Sequence, residues 1–383
     1  MAVNHPAIIV VAYNRPNSLK RLLKSLDRGH YPSESISLII SIDYSDTNQI
    51  VIDFANQYKW AYGEKEVITH SKNLGLRKHI IKCGNLSEKY GSIIVLEDDL
   101  YVSPNFYFYS TKALEFTNNQ SNISGVSLYN HKINVHVGEY FSALEDGFDN
   151  WYFQFASSWG QAWTHNQWKS FISWYHDKEI LEKDHLIPEN VTNWSNRSWL
   201  KFFIAYMIET DKYFLYPKHS LSTNFNDPGT HVGSDSTAYQ TELLFSKKTD
   251  YFFSTLEESK AVYDAFFESR RLHFTLDIDP VIDLYGYKTN TNKDFILSSK
   301  ILPYRIINSY GRCLKPIEAN IIEEIDGEEL FLYDTQLKAL PKKGITNLRH
   351  LEFRRIIYSI KLISLRSSLK VVLKLIASRV KNR

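Results

Sequence analysis

Cysteine is scarce in this 383-residue chain, which carries only Cys83 and Cys313. One bridge between them is arithmetically open, but nothing requires it, and two cysteines exclude a small secreted domain stapled by disulfides. No run reaches the ~18 apolar residues of a membrane-spanning helix. The apolar segment 7–12 has no basic region before it and no cleavage pattern after it, so no signal peptide is expected and a cytoplasmic protein is. Internal repeats and low-complexity tracts are absent as well. Net charge is small, at +2, yet it conceals a segregation. Residues 348–383 hold ten Lys or Arg against one acid, Glu352, for +9, which leaves −7 for residues 1–347. Charge divided in this way points to a physical partner.

What is present in quantity is apolar and aromatic. A hydrophobic share of 43% with 23% charged residues is ordinary for a globular chain long enough to bury a sizeable core. Aromatics reach 14%, either as rings that fill the core or as faces that line a carbohydrate groove. Residues 7–12 (AIIVVA) read as a buried parallel strand, ending at the turn Tyr13-Asn14-Arg15-Pro16. Leu19, Leu22, Leu23 and Leu26 then recur at helical spacing. The pattern repeats: strand 36–42, helix 50–58, strand 66–69, helix 76–90, and strand 92–96, which runs into Glu97-Asp98-Asp99. Alternation of this kind predicts an α/β fold with a mostly parallel sheet flanked by helices. Further strands are expected at 123–128 and 213–217, with a helix at 199–210 between them. Residues 240–345 read as a mixed extension without a usable motif.

Ligands of such sheets bind beyond the carboxyl ends of the strands. Arg15, Asp43 and the acids 97–99 all fall at strand ends, so the topology gathers them at one rim. Three consecutive acids repel one another unless a cation intervenes. A hard divalent ion, Mn2+ or Mg2+, would resolve the repulsion and bridge a diphosphate, whereas a solvated acidic turn would need no partner.

The runs AIIVVAYNRPNSLKRLLKSL, IISIDYSD, NLGLRKHI and IIVLEDDLYVSPNFYFY resemble the nucleotide-binding half of GT-A glycosyltransferases. More narrowly they resemble the N-acetylglucosaminyltransferase I family and its bacterial relatives, which are family 2-like. FASSWGQAWTHNQW, SWLKFFIAY and DPGTHVG extend the resemblance over residues 5–235. It implies a Rossmann-like GT-A catalytic domain over 1–240, with a nucleotide-binding half at 1–125 and an acceptor half at 126–240. An extension over 241–345 and a basic amphipathic helix over 346–383 follow. The resemblance implies that Ala12, Arg15, Asp43, Arg77 (or Lys78), Glu97 and Asp98 contact a nucleotide-sugar, a UDP-sugar before a GDP-sugar. It makes Asp99 the metal ligand and His231 a late metal or phosphate contact. Trp159, Gly160 and Trp199 become walls of the sugar or acceptor pocket, although Trp159, Trp163 and Trp199 read equally well as core. The implied reaction is an inverting single displacement in surface polysaccharide synthesis. Its base is unassigned: the family often places an acid after the Trp matching Trp199, and this chain has Leu200. Asp149, Asp184 and Asp227 are the candidates.

In the tail, Leu362, Leu365, Leu369, Val372, Ile376 and Val380 trace one helical face and Arg366, Lys370 and Lys374 another. A basic amphipathic helix suits the anionic inner face of the cell membrane, where lipid-linked acceptors lie. A helix packed on the enzyme's own acidic body or on a partner subunit is the alternative. No nucleic-acid-binding module accompanies the charge. Two other readings stay open. A nucleotidyltransferase also places acids at strand ends, but it usually has a Gly-rich basic loop where this chain has Ala12-Tyr13-Asn14-Arg15. An inactive sugar-nucleotide-binding or scaffold protein is compatible with Leu200.

Overall fold

Aliphatic and β-branched runs too short for stable helices form the strands, and amphipathic stretches between them form the helices. In this computed structural model, β1 (Ala7–Ala12), β2 (Leu38–Ile42), β3 (Lys65–Thr69) and β4 (Ser92–Glu97) alternate with α1 (Pro16–Leu26), α2 (Gln49–Gln57), α3 (Leu76–Asn85) and α4 (Ser87–Tyr90). The chain continues through β5 (Leu100–Val102), α5 (Phe106–Thr117), β6 (Ile123–Ser127) and a small hairpin of β7 (Ile133–Asn134) and β8 (Glu139–Tyr140). Next come β9 (Asn150–Phe153), β10 (Gln161–Thr164), α6 (His165–Tyr175), α7 (Glu189–Thr192), α8 (Trp199–Glu209), β11 (Tyr213–Pro217), β12 (Ser222–Asn224) and β13 (Val262–Tyr263). The structure describes residues 5–176, 178–182, 184, 186–225, 239–276, 278–289, 293–340 and scattered positions between 361 and 373.

Two compact units divide the chain. The first comprises Met1–Arg271 with Tyr287–Asn290, the second Leu272–Gly286 with Thr291–Arg383. The first unit holds a sheet in the order β13-β9-β11-β6-β10-β4-β1-β2-β3. Strands β3, β2, β1, β4, β6 and β11 run one way, and β10, β9 and β13 run against them. The result is the mostly parallel, helix-flanked α/β sheet expected, consistent with a GT-A fold.

Because strand side chains alternate between faces, Ile8, Val10, Leu38, Ile40, Ile94 and Leu96 join one core with α1, α2 and α5. Ser41 points the other way and meets His79 of α3 at 2.7 Å. That opposite layer is aromatic: Trp163 of β10 packs on Trp168 of α6 at 4.8 Å and on Phe203 of α8 at 5.8 Å. The single helix expected over 76–90 is broken into α3 and α4. Leu86 N–H reaches back to the Cys83 carbonyl at 3.1 Å, a tighter turn than an α-helix allows. Trp168 Nε1 donates to Asn85 Oδ1 at 2.8 Å beside this break.

Gly84 lies under the Trp168 ring, where an added Cβ would stand 2.0 Å from a ring carbon. Gly84→Ala gains about 1 kcal/mol in helix propensity but overpacks a filled layer, which typically costs about 1–3 kcal/mol. A lower urea midpoint with unchanged m-value is the expected result, and a higher midpoint would show that the Trp168 ring yields freely.

The second unit contains α9 (His273–Leu276), α10 (Ala319–Ile322) and a four-stranded sheet of β14 (Val281–Asp283), β15 (Phe295–Ser298), β16 (Tyr304–Tyr310) and β17 (Leu330–Lys338), ordered β14-β15-β17-β16. Ile296, Phe331 and Tyr333 form one core cluster there, and Ile282, Leu297, Leu330 and Leu332 are buried as well. No helix among the described residues is long and apolar enough to cross a membrane. The expected basic helix falls mostly outside the described residues; of those described, Leu365, Leu369, Val372 and Leu373 are exposed.

Candidate functional site

The chain leaves β1 toward β2 on one side and is joined by β4 on the other. Strand order reverses at this point, so a crevice opens beyond the carboxyl ends of β1 and β4. Three residues meet there. Pro16 begins α1 and holds the preceding Arg15 in an extended conformation at the N-cap, φ −113° and ψ 83°. The Arg15 guanidinium bonds the Asp98 carboxylate through Nη2, and Nη1 donates to Asp99 Oδ2 at 3.1 Å. Backbone pairing fixes the acids in turn, since Asp98 N–H donates to the Val11 carbonyl at 3.0 Å and Phe225 N–H to the Asp99 carbonyl at 3.1 Å. β5 pairs with β12, so the segment leaving β12 starts beside Asp99. His231 and Asp227, expected in that segment, lie outside the described residues.

The acids are poorly solvated. Glu97 Oε1 and Asp98 Oδ2 are enclosed and have no hydrogen-bond partner among the described residues. Desolvation pushes the Asp98 carboxyl up to about 6, although Arg15 pulls it down. Desolvation, then the charges of Asp99 and Asp98, raises Glu97 far above the usual carboxylate range. Among the described residues no group of three or more His, Cys, Asp or Glu is arranged to hold a metal ion. What the crevice does offer is two partnerless hard oxygens beside Asp99. Mg2+ commonly needs only one or two carboxylates when substrate phosphates and water complete its shell.

Asp43, at the end of β2, lies at the same rim with its carboxylate engaged by backbone. It accepts N–H bonds from Tyr44 at 2.9 Å, Leu74 at 2.9 Å and Gly75 at 3.0 Å. The bonds tie the loop before α3 to β2. Asp43→Ala leaves those donors without their acceptor, at a cost of about 1–3 kcal/mol where the groups are buried. Faster amide exchange at Leu74 and Gly75 is expected, and unchanged exchange there would contradict the tether. Arg77 stands over Phe202 of α8 at 4.8 Å and donates to the Glu179 carbonyl at 3.2 Å. Ala12 ends β1, where its carbonyl accepts the Asp43 N–H at 3.0 Å.

The expected pocket walls separate. Trp199 is 1% exposed, edge-on to Trp163 at 6.0 Å, inside the aromatic layer. Trp159 is half-buried and stacks on Tyr239 at 5.2 Å and against Tyr129 at 4.5 Å. Gly160 has φ +94°, a conformation suited to glycine, and an added Cβ would stand 3.0 Å from Ser222 Oγ. Of the candidate bases, Asp149 pairs with Lys248 and accepts the Phe252 N–H at 2.9 Å. Asp184 instead lines a cavity with Glu189, Phe266 and Tyr287. Sequence reading missed that cavity and the Ser41–His79 contact, both of which join residues far apart in the chain.

Among solved structures, the chain resembles residues 1–349 of S. aureus TarS at 12% identity and a TM-score of 0.37, over 57% of this chain and 59% of that one. The same protein with UDP-GlcNAc matches at 13% identity, 59% and 60% coverage and a TM-score of 0.36. The mannosyltransferase PcManGT from Pyrobaculum calidifontis, in complex with GDP-Man and Mn2+, matches at 9% identity, 45% and 47% coverage and a TM-score of 0.30. Each match therefore spans less than two thirds of the neighbour's length. No curated protein matches the chain. Residues 7–156, which span β1 to β9 and contain Arg15, Asp43 and Glu97-Asp98-Asp99, match the family model described as glycosyl transferase family 2.

Proposed function

We propose that the chain is a metal-dependent, inverting glycosyltransferase that moves a sugar from a nucleotide-sugar, UDP-linked, to a saccharide or lipid-linked acceptor in surface polysaccharide synthesis. The observation that carries the reading is the meeting of Arg15 with Asp98 and Asp99 at the crevice between β1 and β4. The family match over residues 7–156 supports it. Acids alone repel a diphosphate, so this crevice suits one only with cations present. Arg15 supplies a planar fork that fits phosphate oxygens. Glu97, Asp98 and Asp99 would hold Mn2+ or Mg2+, with His231 as a further contact, and the ion would neutralise charge on the departing nucleoside diphosphate.

In the transfer, the acceptor hydroxyl oxygen forms a bond to the sugar C1 while the bond from C1 to the phosphate oxygen breaks. The hydroxyl proton passes to a carboxylate and the electron pair leaves with the diphosphate. Asp149, Asp184 and Asp227 are the candidate bases; Asp149 pairs with Lys248 and accepts the Phe252 N–H, and Asp184 accepts the Leu186 N–H at 3.0 Å. The basic segment 346–383 would seat the enzyme on anionic lipid at the inner face of the membrane, and the exposed Leu365 and Leu369 are in keeping with that role. Leu200 favours one competing reading, a sugar-nucleotide-binding protein without turnover. Release of UDP from UDP-GlcNAc, UDP-glucose and UDP-galactose with Mn2+ separates the two. Release from one donor is expected, and tight binding of a donor without release would establish the inactive binder instead.

A further inference from the structure

Two tasks compete for the Arg15 side chain. Both of its terminal nitrogens are engaged by acids, Nη2 by the Asp98 carboxylate and Nη1 by Asp99 Oδ2 at 3.1 Å. A bidentate clasp on phosphate oxygens uses a pair of parallel N–H donors of the same kind. Arg15 therefore cannot present this pair to a phosphate while it holds the two acids. Its backbone stays in place in either case, because the Arg15 carbonyl accepts the Leu19 N–H at 3.1 Å in the first turn of α1. Any change of partner falls to the side chain, which is half-buried, as is that of Asp99. The fork thus reaches solvent from where it stands.

A divalent cation meets the complementary difficulty. Arg15 cancels part of the negative charge of Asp98 and Asp99 that would draw the ion in. The Asp98 side chain is buried, and charges so enclosed are screened less by water than charges on the surface. A metal ion on its own is therefore resisted by the guanidinium that already sits on the acids. A diphosphate resolves both difficulties together. It draws the fork off the carboxylates, which leaves their oxygens to the cation, and it adds negative charge between the two positive groups.

We propose that Arg15 is a counter-ion that changes partners: it neutralises Asp98 and Asp99 in the free protein and passes to the diphosphate when metal and nucleotide arrive, so that the two bind as a coupled pair. The hand-over rests on the nucleotide-sugar reading above; the resistance to a metal alone does not. Coupling between two ligands is reciprocal and typically amounts to roughly 5–150-fold. The test uses the full-length chain and electron paramagnetic resonance of free Mn2+, titrated alone and with an excess of uridine, UMP or UDP. Mn2+ held by each nucleotide without protein is subtracted. In the parent, UDP is expected to tighten Mn2+ binding at least about tenfold, UMP less, and uridine not at all. In Arg15→Ala, Mn2+ alone should bind at least about fivefold more tightly than in the parent, and the enhancement by UDP should shrink by a similar factor. Arg15→Gln keeps an N–H donor for Asp98 without the charge, so the test survives if Arg15→Ala fails to fold. Equal affinity for Mn2+ alone in the parent and the variants would overturn the inference. Tighter Mn2+ binding with an undiminished UDP enhancement would also overturn it, because Arg15 would then stay on the acids throughout. Nucleotides that leave the Mn2+ affinity unchanged in every protein would remove the nucleotide-sugar reading, and the hand-over with it.

Discussion

Asp99→Ala is expected to weaken UDP binding in the presence of Mn2+ by about 100-fold or more, roughly 2.7 kcal/mol, while the fold survives. The side chain is half-buried, 25% exposed against 3% for Asp98, and its partner Nη1 of Arg15 keeps a neighbour in Asp98. The backbone bond from Phe225 N–H to the Asp99 carbonyl does not depend on the side chain. Only the cation-binding oxygens are lost. Changes to groups that merely orient metal ligands already cost about 10–100-fold, so loss of a ligand should exceed that. Arg15→Ala provides the contrast. It removes a competitor for Asp98 and Asp99, so Mn2+ alone should bind more tightly, yet it also removes the phosphate fork, so UDP should bind more weakly. Unchanged UDP affinity in Asp99→Ala would remove the metal from the account.

The second large effect concerns acid. His131 is enclosed by Tyr129, Phe153, Phe155, Trp159, Tyr216 and Phe267, and burial pushes it down to about 3. His79, packed beneath β2 on Ser41, is pushed by burial down to about 4. Both start from an ordinary value of 6.5. As pH falls below that value the unfolded chain takes up two protons that the folded chain refuses. The stability they contribute is complete above about 6.5 and is lost as pH falls toward 3–4. By pH 5 each histidine accounts for a loss of about 2 kcal/mol, against a typical total of 5–15 kcal/mol. Glu97 and Asp98 act in the opposite sense, because their raised carboxyls keep protons in the folded state and stability is gained as pH falls through them. The histidine effect is therefore read by difference. In urea unfolding at pH 7 and pH 5, His131→Leu should lose about 2 kcal/mol less than the parent between the two pH values. Equal losses would mean that His131 already takes up its proton in the folded chain.

The nucleotide-binding half was legible in the sequence because local rules and tertiary demands agree there. β1, β2 and β4 are short aliphatic runs flanked by turn residues, and acids or Arg15 stand at their ends. The helix Phe106–Thr117 escaped notice because its rings are mediocre helix formers and lie on several faces, leaving no clear stripe. The antiparallel insertion of β10 between β4 and β6 is a register choice over long sequence distances, which periodicity does not record. Trp159 and Trp199 look alike in sequence; only packing leaves one half-buried and the other 1% exposed. The second unit's sheet was unreadable for a similar reason. Its β15 pairs with β17 across a long intervening stretch of chain, and β16 shows its alternation only when paired with β17.

Calorimetric titration of UDP, GDP, CMP and dTDP into the protein, with Mn2+ and without, tests the central claim most directly. The account predicts binding of UDP that requires the metal. Failure of all four nucleotides to bind the folded protein in the presence of Mn2+ would contradict it, and Glu97-Asp98-Asp99 would then be an acidic turn neutralised by Arg15 alone.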